Sequence, residues 1–150
     1  MTGRCGIPEF TCDVVIEADV DCVYGTLTTA QGLSRWWGHT IDSDLVVGST
    51  AEFLLGAARV MRIRIVELTQ PSLVSWTCVG GVGEWERSSL RFELKALGGT
   101  TLLRFTHRGW QWRFAAGELA AANFSWPRHL IRLRELAPYM TTDVCSGRLL

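Results

Sequence analysis

The sequence of 150 residues has no excess of charge of either sign, because 15 Lys and Arg balance 15 Asp and Glu. Proteins that grip nucleic-acid phosphates or anionic headgroups carry a basic stripe or block, and none is visible here. No apolar run approaches the roughly 18 residues of a membrane span. The N-terminus also lacks the apolar core of a secretory signal. We therefore expect a soluble protein with no nucleic-acid partner and no membrane insertion.

Motifs that hold metals, phosphates or nucleophiles are also missing. The 3 His residues are far apart, with neither H-x-x-H nor H-E-x-x-H spacing. The tract Gly80-Gly-Val-Gly83 lacks the Lys and the following helix of a phosphate-binding loop, and no G-x-S-x-G elbow occurs. We expect no metal and no cofactor.

Cysteine is present but not in a metal or redox pattern. The 5 Cys residues form no C-x-x-C pair and are odd in number. Cys12 and Cys78 lie in strand-like patterns, where a thiol usually behaves as a small hydrophobe. This favours free thiols in a reducing, cytoplasmic setting. The alternative is a pairing of Cys5 with Cys145, which requires the two tails to meet.

Tryptophan is what the sequence has in excess: there are 7, and two are adjacent at Trp36-Trp37, before Gly38. Each Trp has a large apolar body and one N–H that needs a partner when buried. Adjacent side chains point in different directions. We therefore expect one of the pair to anchor the core and the other to line the mouth of a cavity.

Hydrophobic periodicity predicts an α+β chain. Residues 10–18 alternate as a half-buried strand, and Asp19 and Thr29 are typical N-caps of two short helices. Between about 46 and 110, alternation of period two predicts five antiparallel strands. Gln70-Pro71-Ser72 and Gly98-Gly99 are turn signals within that region.

The C-terminal third predicts one long helix that covers the apolar face of the sheet. Pro127 predicts a kink or a new start, because proline disrupts a helix interior; the helix should end near Leu136, before Pro138. We expect a single domain over 1–150, with its core at about 10–137 and a tail at 138–150. The apolar stripe of the helix consists of Leu119, Ala122, Trp126, Leu130, Leu133 and Ala137.

Several tracts, in this order and spacing, are similar to those of a known family. They are Val15-Ile16-Glu17-Ala18, Leu33 with Trp36-Trp37-Gly38, Leu73-Val74-Ser75-Trp76, Thr106-His107-Arg108-Gly109-Trp110, and Trp126 with Leu130 and Leu133. Over about 10–137 the chain resembles the START-like, Bet v 1-like helix-grip superfamily. Within it, the chain most resembles the family of the activator of Hsp90 ATPase homologue, grouped with polyketide cyclase-like proteins. The resemblance implies a curved antiparallel sheet of about six strands around a long C-terminal helix, with two short helices after the first strand. The chain departs from many relatives at Pro127.

A curved sheet around one helix leaves space between them unless large side chains fill it. We expect a small hydrophobic or aromatic ligand, a lipid among the candidates, to bind there. The loop after Trp37 and the Gly80–Gly83 turn would gate access. A plain packed core is the competing interpretation. The predicted cavity walls are Trp36, Trp37, Trp76, Phe92, Phe105, His107, Trp110, Trp126 and Leu130.

Polar residues would orient the ligand. His107 shares a strand face with Leu103 and Phe105, so it should point inward and either bind the ligand or serve as an acid or base. The alternative is a buried His satisfied by backbone or a neighbouring side chain. Arg62 and Arg64 should lie on the solvated face, unless a bulge near Val66 turns one inward to hold a carboxylate.

The surface histidines complete the set of candidates. We expect His39 in a surface loop and His129 on the solvated face of the last helix.

Three functions follow from these expectations. A non-catalytic binding protein for a small hydrophobic molecule is favoured. The resemblance also implies two alternatives: a polyketide cyclase or dehydratase that uses His107 as acid or base, and an interaction module acting on an Hsp90-type chaperone. Fold-level resemblance alone does not choose among these three functions. A homodimer is a further expectation.

Overall fold

The computed structural model describes residues 9–37, 39–42, 45–55, 59–80, 87–109, 127–141 and 144–145, with the backbone alone for 39–42, 54–55 and 59–60. In chain order the elements are β1 (Glu9–Ile16), α1 (Val20–Thr28), α2 (Ala30–Trp36), β2 (His39–Asp42), β3 (Thr50–Leu55), β4 (Arg59–Thr69), β5 (Leu73–Gly80), β6 (Ser89–Leu97) and β7 (Thr100–Arg108). The described part of the last helix, α3, covers 127–136 and passes into a 3-10 turn at Ala137–Tyr139. The predicted end near Leu136 is confirmed.

The described strands form one seven-stranded sheet in the order β1-β7-β6-β5-β4-β3-β2. Every neighbouring pair is antiparallel. This confirms the α+β helix-grip architecture expected from the sequence. The strand beyond the predicted six is β2, which occupies the place of the loop expected after Trp37. At four residues, it lies at the lower limit of the length over which alternation indicates a strand.

The predicted turns and bulge lie where the sequence places them. The β6–β7 hairpin turns at Gly98-Gly99, with Leu97 paired to Thr100 and Gly98 at a φ of 66°. The β4–β5 turn contains a cis peptide at Gln70–Pro71. The register of β4 against β5 shifts between Ile65 and Glu67, which is the bulge expected near Val66.

The two short helices pack closely on each other. The Thr29 side chain accepts a hydrogen bond from the Gly32 backbone N–H at 3.0 Å and so caps α2. A Cβ on Gly32 would meet the Thr26 backbone at 2.6–2.9 Å. Asp19 precedes α1 as predicted, although its side chain makes no cap hydrogen bond.

A disulfide holds the C-terminal segment onto α1. Cys22 is bonded to Cys145, and Val144, in the segment predicted as a tail, is fully buried. A Cβ on Gly25 would overlap the Val144 carbonyl, so this approach requires glycine. The predicted alternatives for Cys145, a free thiol or a pairing with Cys5, are therefore wrong. Both predictions for Cys145 failed because the chain after α3 returns to α1, and no local sequence pattern indicates such a contact.

The sheet has two unlike faces. The inner face, which packs on the helices, carries the core; the outer face carries the charged side chains. Arg62 and Arg64 are exposed on the outer face, as the sequence predicted, and Arg62 Nε lies 2.6 Å from Glu52. Neither Cys12 nor Cys78 is in a disulfide, also as predicted. Among the residues described, no helix combines the length and apolarity needed to cross a bilayer.

Candidate functional site

Among the described residues, six buried aromatic rings form one continuous cluster between the inner face of the sheet and α2, hereafter the aromatic cluster. Ring centroids lie 5.2 Å apart for Trp37 and Trp76, whose planes are nearly parallel, and 4.9 Å apart for Trp76 and Phe92. Each ring is at most 8% exposed. Contacts of this kind contribute about 0.5–1.5 kcal/mol each beyond area burial. The members are Trp36, Trp37, Phe53, Trp76, Phe92 and Phe105.

Both tryptophans of the adjacent pair belong to this cluster. Trp36 is fully buried, and its Nε1–H donates to the Thr26 carbonyl at 3.2 Å. Trp37 is the C-cap of α2, with φ −116° and ψ −80°, outside helical values. Because the backbone leaves the helix there, the Trp37 ring turns back to 5.9 Å from Trp36. The expectation that only one of the pair enters the core is therefore wrong.

A buried polar pair lies beside the aromatic cluster. His107 is 1% exposed and Ser88 is fully buried. His107 Nε2 and Ser88 Oγ are 2.8 Å apart and share a hydrogen bond. Burial lowers the pKa of His107 to about 3, so the imidazole is neutral near pH 7. His107 points inward as predicted, and a neighbouring side chain satisfies it.

Local backbone geometry positions Ser88. Arg87 adopts a φ of 72°, a region that non-glycine residues rarely occupy. Its N–H donates to the Cys78 carbonyl at 2.7 Å, and the Cys78 N–H donates to the Ser88 carbonyl at 2.9 Å. These bonds connect the start of β6 to β5 and set Ser88 on the inner side.

The other buried polar side chains bond to backbone carbonyls. The Thr26 hydroxyl donates to Cys22 at 2.8 Å, and the Thr101 hydroxyl donates to Ala18 at 2.7 Å. Within the described ranges, no buried side chain carries a formal charge. No group of three or more metal-ligating side chains occurs within them either.

The last helix contacts the end of α2. Arg132 Nη2 donates to the Arg35 carbonyl at 2.9 Å. His129 is partly buried rather than on the solvated face, and burial lowers its pKa. The expectation of a solvated His129 is wrong, because α3 packs against the end of α2 on that side.

The structure brings most of the predicted site residues together. Trp36, Trp37, Trp76, Phe92 and Phe105 lie in the aromatic cluster, and Leu130 belongs to the same buried core. Trp110, Trp126 and residues 81–83 of the predicted gate lie outside the described residues, as do the side chain of His39 and Cys5. Sequence reasoning missed Phe53, whose ring lies 4.8 Å from Trp37, and Ser88. Phe53 sits at an inward position of β3, and Ser88 precedes β6 in the same alternation, so the signal was present.

Comparisons with known proteins agree with this architecture. A family model described as "Activator of Hsp90 ATPase homolog 1-like protein" matches residues 17–137. None of the curated proteins is similar enough in sequence to count as a match.

Solved structures share the fold. The Aha1 dimer from Colwellia psychrerythraea is 25% identical, with a TM-score of 0.75 over 88% of this chain and 97% of that one. Protein MLL2253 from Mesorhizobium loti is 17% identical, with a TM-score of 0.75 over 86% and 96% of the two chains. CalU16 from Micromonospora echinospora is 19% identical, with a TM-score of 0.69 over 95% and 83%.

Proposed function

Since this chain belongs to the family of activator of Hsp90 ATPase homolog 1-like proteins, we propose that it binds a small, largely apolar molecule between the inner face of the sheet and α3. The observation that carries the proposal is the aromatic cluster with one buried polar pair, Ser88 and His107, beside it. Ligand pockets are mostly apolar with a few placed polar groups. Burial of guest surface at roughly 25 cal/mol per Å² would supply the affinity.

The binding test uses a fluorescent apolar probe, N-phenylnaphthylamine. We expect saturable binding, with transfer of excitation from the buried tryptophans to the probe. Leu130 of α3 is 1% exposed within the core, whereas its neighbour Ile131 is 45% exposed. Leu130→Phe should reduce probe affinity by filling the space under α3, and Ile131→Phe is the matched control. Absence of saturable binding to the native chain would leave the inner face as a packed core.

Native mass spectrometry of the protein purified from its own host addresses the natural guest. A co-purifying small molecule, lost in Leu130→Phe and kept in Ile131→Phe, supports the proposal and identifies the guest.

An enzymatic role, the cyclase or dehydratase alternative, has less support. The Ser88–His107 distance of 2.8 Å resembles a nucleophile and base. However, a His with its pKa at about 3 is a poor base near neutral pH. We expect His107→Ala to change the affinity for the guest. We expect no turnover by the native chain, so the variant has none to lose.

Action on a chaperone is the second candidate, and the family's name favours it. It predicts stimulation of the ATPase of an Hsp90-type chaperone from the same organism. If the chaperone is not pulled down and its ATPase rate is unchanged, this candidate function is contradicted.

We also propose a homodimer, for which the dimeric state of the Colwellia protein is the support. Light scattering behind size exclusion, at several concentrations, measures it directly. A monomer mass at every concentration would contradict the proposal.

A cytoplasmic location is likewise our proposal. Disulfides are rare in that compartment, so the Cys22–Cys145 bond of the structure would then form only after the chain leaves reducing conditions. Alkylation of growing cells before lysis should therefore trap both residues as thiols. Recovery of the oxidised pair from such cells would argue for an oxidising compartment.

A further inference from the structure

The charges of the described chain are distributed unequally between the two faces of the sheet. Each of its ion pairs is a surface pair, with both side chains at least 35% exposed. The arginines of these pairs therefore bind carboxylates of the outer face and point away from the core. The pairs are Arg62–Glu52, Arg91–Glu93, Arg104–Asp13 and Arg108–Glu9.

The inner face holds neutral groups. The buried polar side chains of the described chain are three hydroxyls and one imidazole: Thr26 of α1, and Ser88, Thr101 and His107 on the inner side of the sheet. Two of the hydroxyls donate to backbone carbonyls. The Ser88–His107 pair is uncharged near pH 7, because burial keeps the imidazole neutral.

This distribution bears on the charge of any guest. The free energy of moving a carboxylate, phosphate or sulfonate from water into the core is far more unfavourable than that of a neutral polar group. A paired cation is needed to offset it. Arg62 and Arg64, one of which would hold a carboxylate only if the bulge near Val66 turned it inward, are both exposed on the outer face. Within the described ranges, the inner face offers an anion no cationic partner.

We infer that the inner face selects an uncharged guest and rejects the anionic analogue of the same skeleton. The inference rests on the proposed function and restricts its ligand class. Neutral ring systems, ketones, esters and alcohols are admitted. Free fatty acids and other molecules with an ionised headgroup are rejected.

The experiment compares two dyes that share a skeleton and differ in one charged group. N-phenylnaphthylamine is neutral, and anilinonaphthalene sulfonate carries a sulfonate. We expect the neutral dye to bind the native chain at least about a hundredfold more tightly, since burial of the unpaired sulfonate is unfavourable. A second matched pair, methyl decanoate and decanoate at pH 8, should displace the bound neutral dye with the same preference for the ester.

The exposed arginines of the outer face would also attract anions, so the measurement must separate the two faces. Displacement of the neutral dye reports on the inner site alone, and Arg104→Gln removes an outer cation as a control. The inference is overturned if the anionic member of each pair, the sulfonate or decanoate, competes for the inner site as effectively as its neutral partner. The proposed function would still stand. Failure of both dyes to bind would overturn the proposed function and the inference with it.

Discussion

Phe105 and Arg104 are consecutive residues of β7, yet they belong to regions of opposite physical character. Phe105 is fully buried, with its ring centroid 5.0 Å from that of Phe92. The Arg104 side chain is 57% exposed and makes two hydrogen bonds, of 2.9 and 3.0 Å, to the Asp13 carboxylate. One face is held by packing and the other by solvated charge. The comparison teaches that tight packing is confined to the inner face, where we propose that the ligand binds.

The largest expected effect comes from removing a central ring of the inner face. Phe92 contacts Trp36, Trp76 and Phe105, so Phe92→Ala loses its transfer energy and leaves a cavity. We expect a loss of about 3–5 kcal/mol in the free energy of unfolding, measured by urea denaturation. Arg91→Ala, one residue away on the outer face, is the matched control. Similar losses for the two variants would break the distinction between the faces.

The second effect tests how much the C-terminal segment contributes to closing the inner layer. The Cys22–Cys145 disulfide spans 123 residues, so it restricts the unfolded chain strongly. Cys145→Ser should lower the free energy of unfolding by about 2–4 kcal/mol. The native chain treated with a reductant should then match the variant. A native chain whose stability is insensitive to reductant would contradict this expectation.

The third effect is a dependence of stability on pH, to which His107 of the inner face contributes. His107 has a pKa of about 3 in the folded chain, lowered by burial, against about 6.5 when unfolded. Above pH 6.5 His107 is unprotonated in both the folded and the unfolded chain, so it does not make the free energy of unfolding depend on pH. Below pH 6.5 the unfolded chain takes up the proton first, so stability falls by up to about 1.4 kcal/mol per pH unit.

His107→Gln should flatten the stability profile between pH 6.5 and 4, and a profile as steep as that of the native chain would refute the assignment. Burial lowers the pKa of His129 as well. His129→Gln is therefore the companion variant that separates the two contributions.

Much of the inner face could be predicted because alternation of apolar residues along a strand shows which side chains point to the same face. Alternation along β7 placed Leu103, Phe105 and His107 inward, and all three are at most 1% exposed. The same period two explains why Arg62 and Arg64 lie outside. The fold followed from the order of elements, since a sheet with one apolar face needs a helix to cover it.

What could not be predicted depends on contacts between distant parts of the chain. The convergence of Trp36 and Trp37 depends on the C-cap conformation of α2, and Cys145 meets Cys22 across 123 residues. His129 is partly buried only because α3 packs beside α2. Hydrophobic periodicity reports the face of one element, not the partner that covers it.

The smallest effect on stability should come from the outer face, at Arg104. In the native chain the hydrogen-bonded Arg104 guanidinium lowers the pKa of the Asp13 carboxyl. Both side chains are exposed, so Arg104→Gln should change the free energy of unfolding little. It should nevertheless raise the Asp13 pKa toward the ordinary range, which an NMR titration of the Asp13 carboxyl carbon measures. High salt should produce part of the same rise in the native chain, because exposed charges are screened. A loss of stability comparable to that of Phe92→Ala would show that the outer face stabilises the sheet as strongly as the aromatic cluster does.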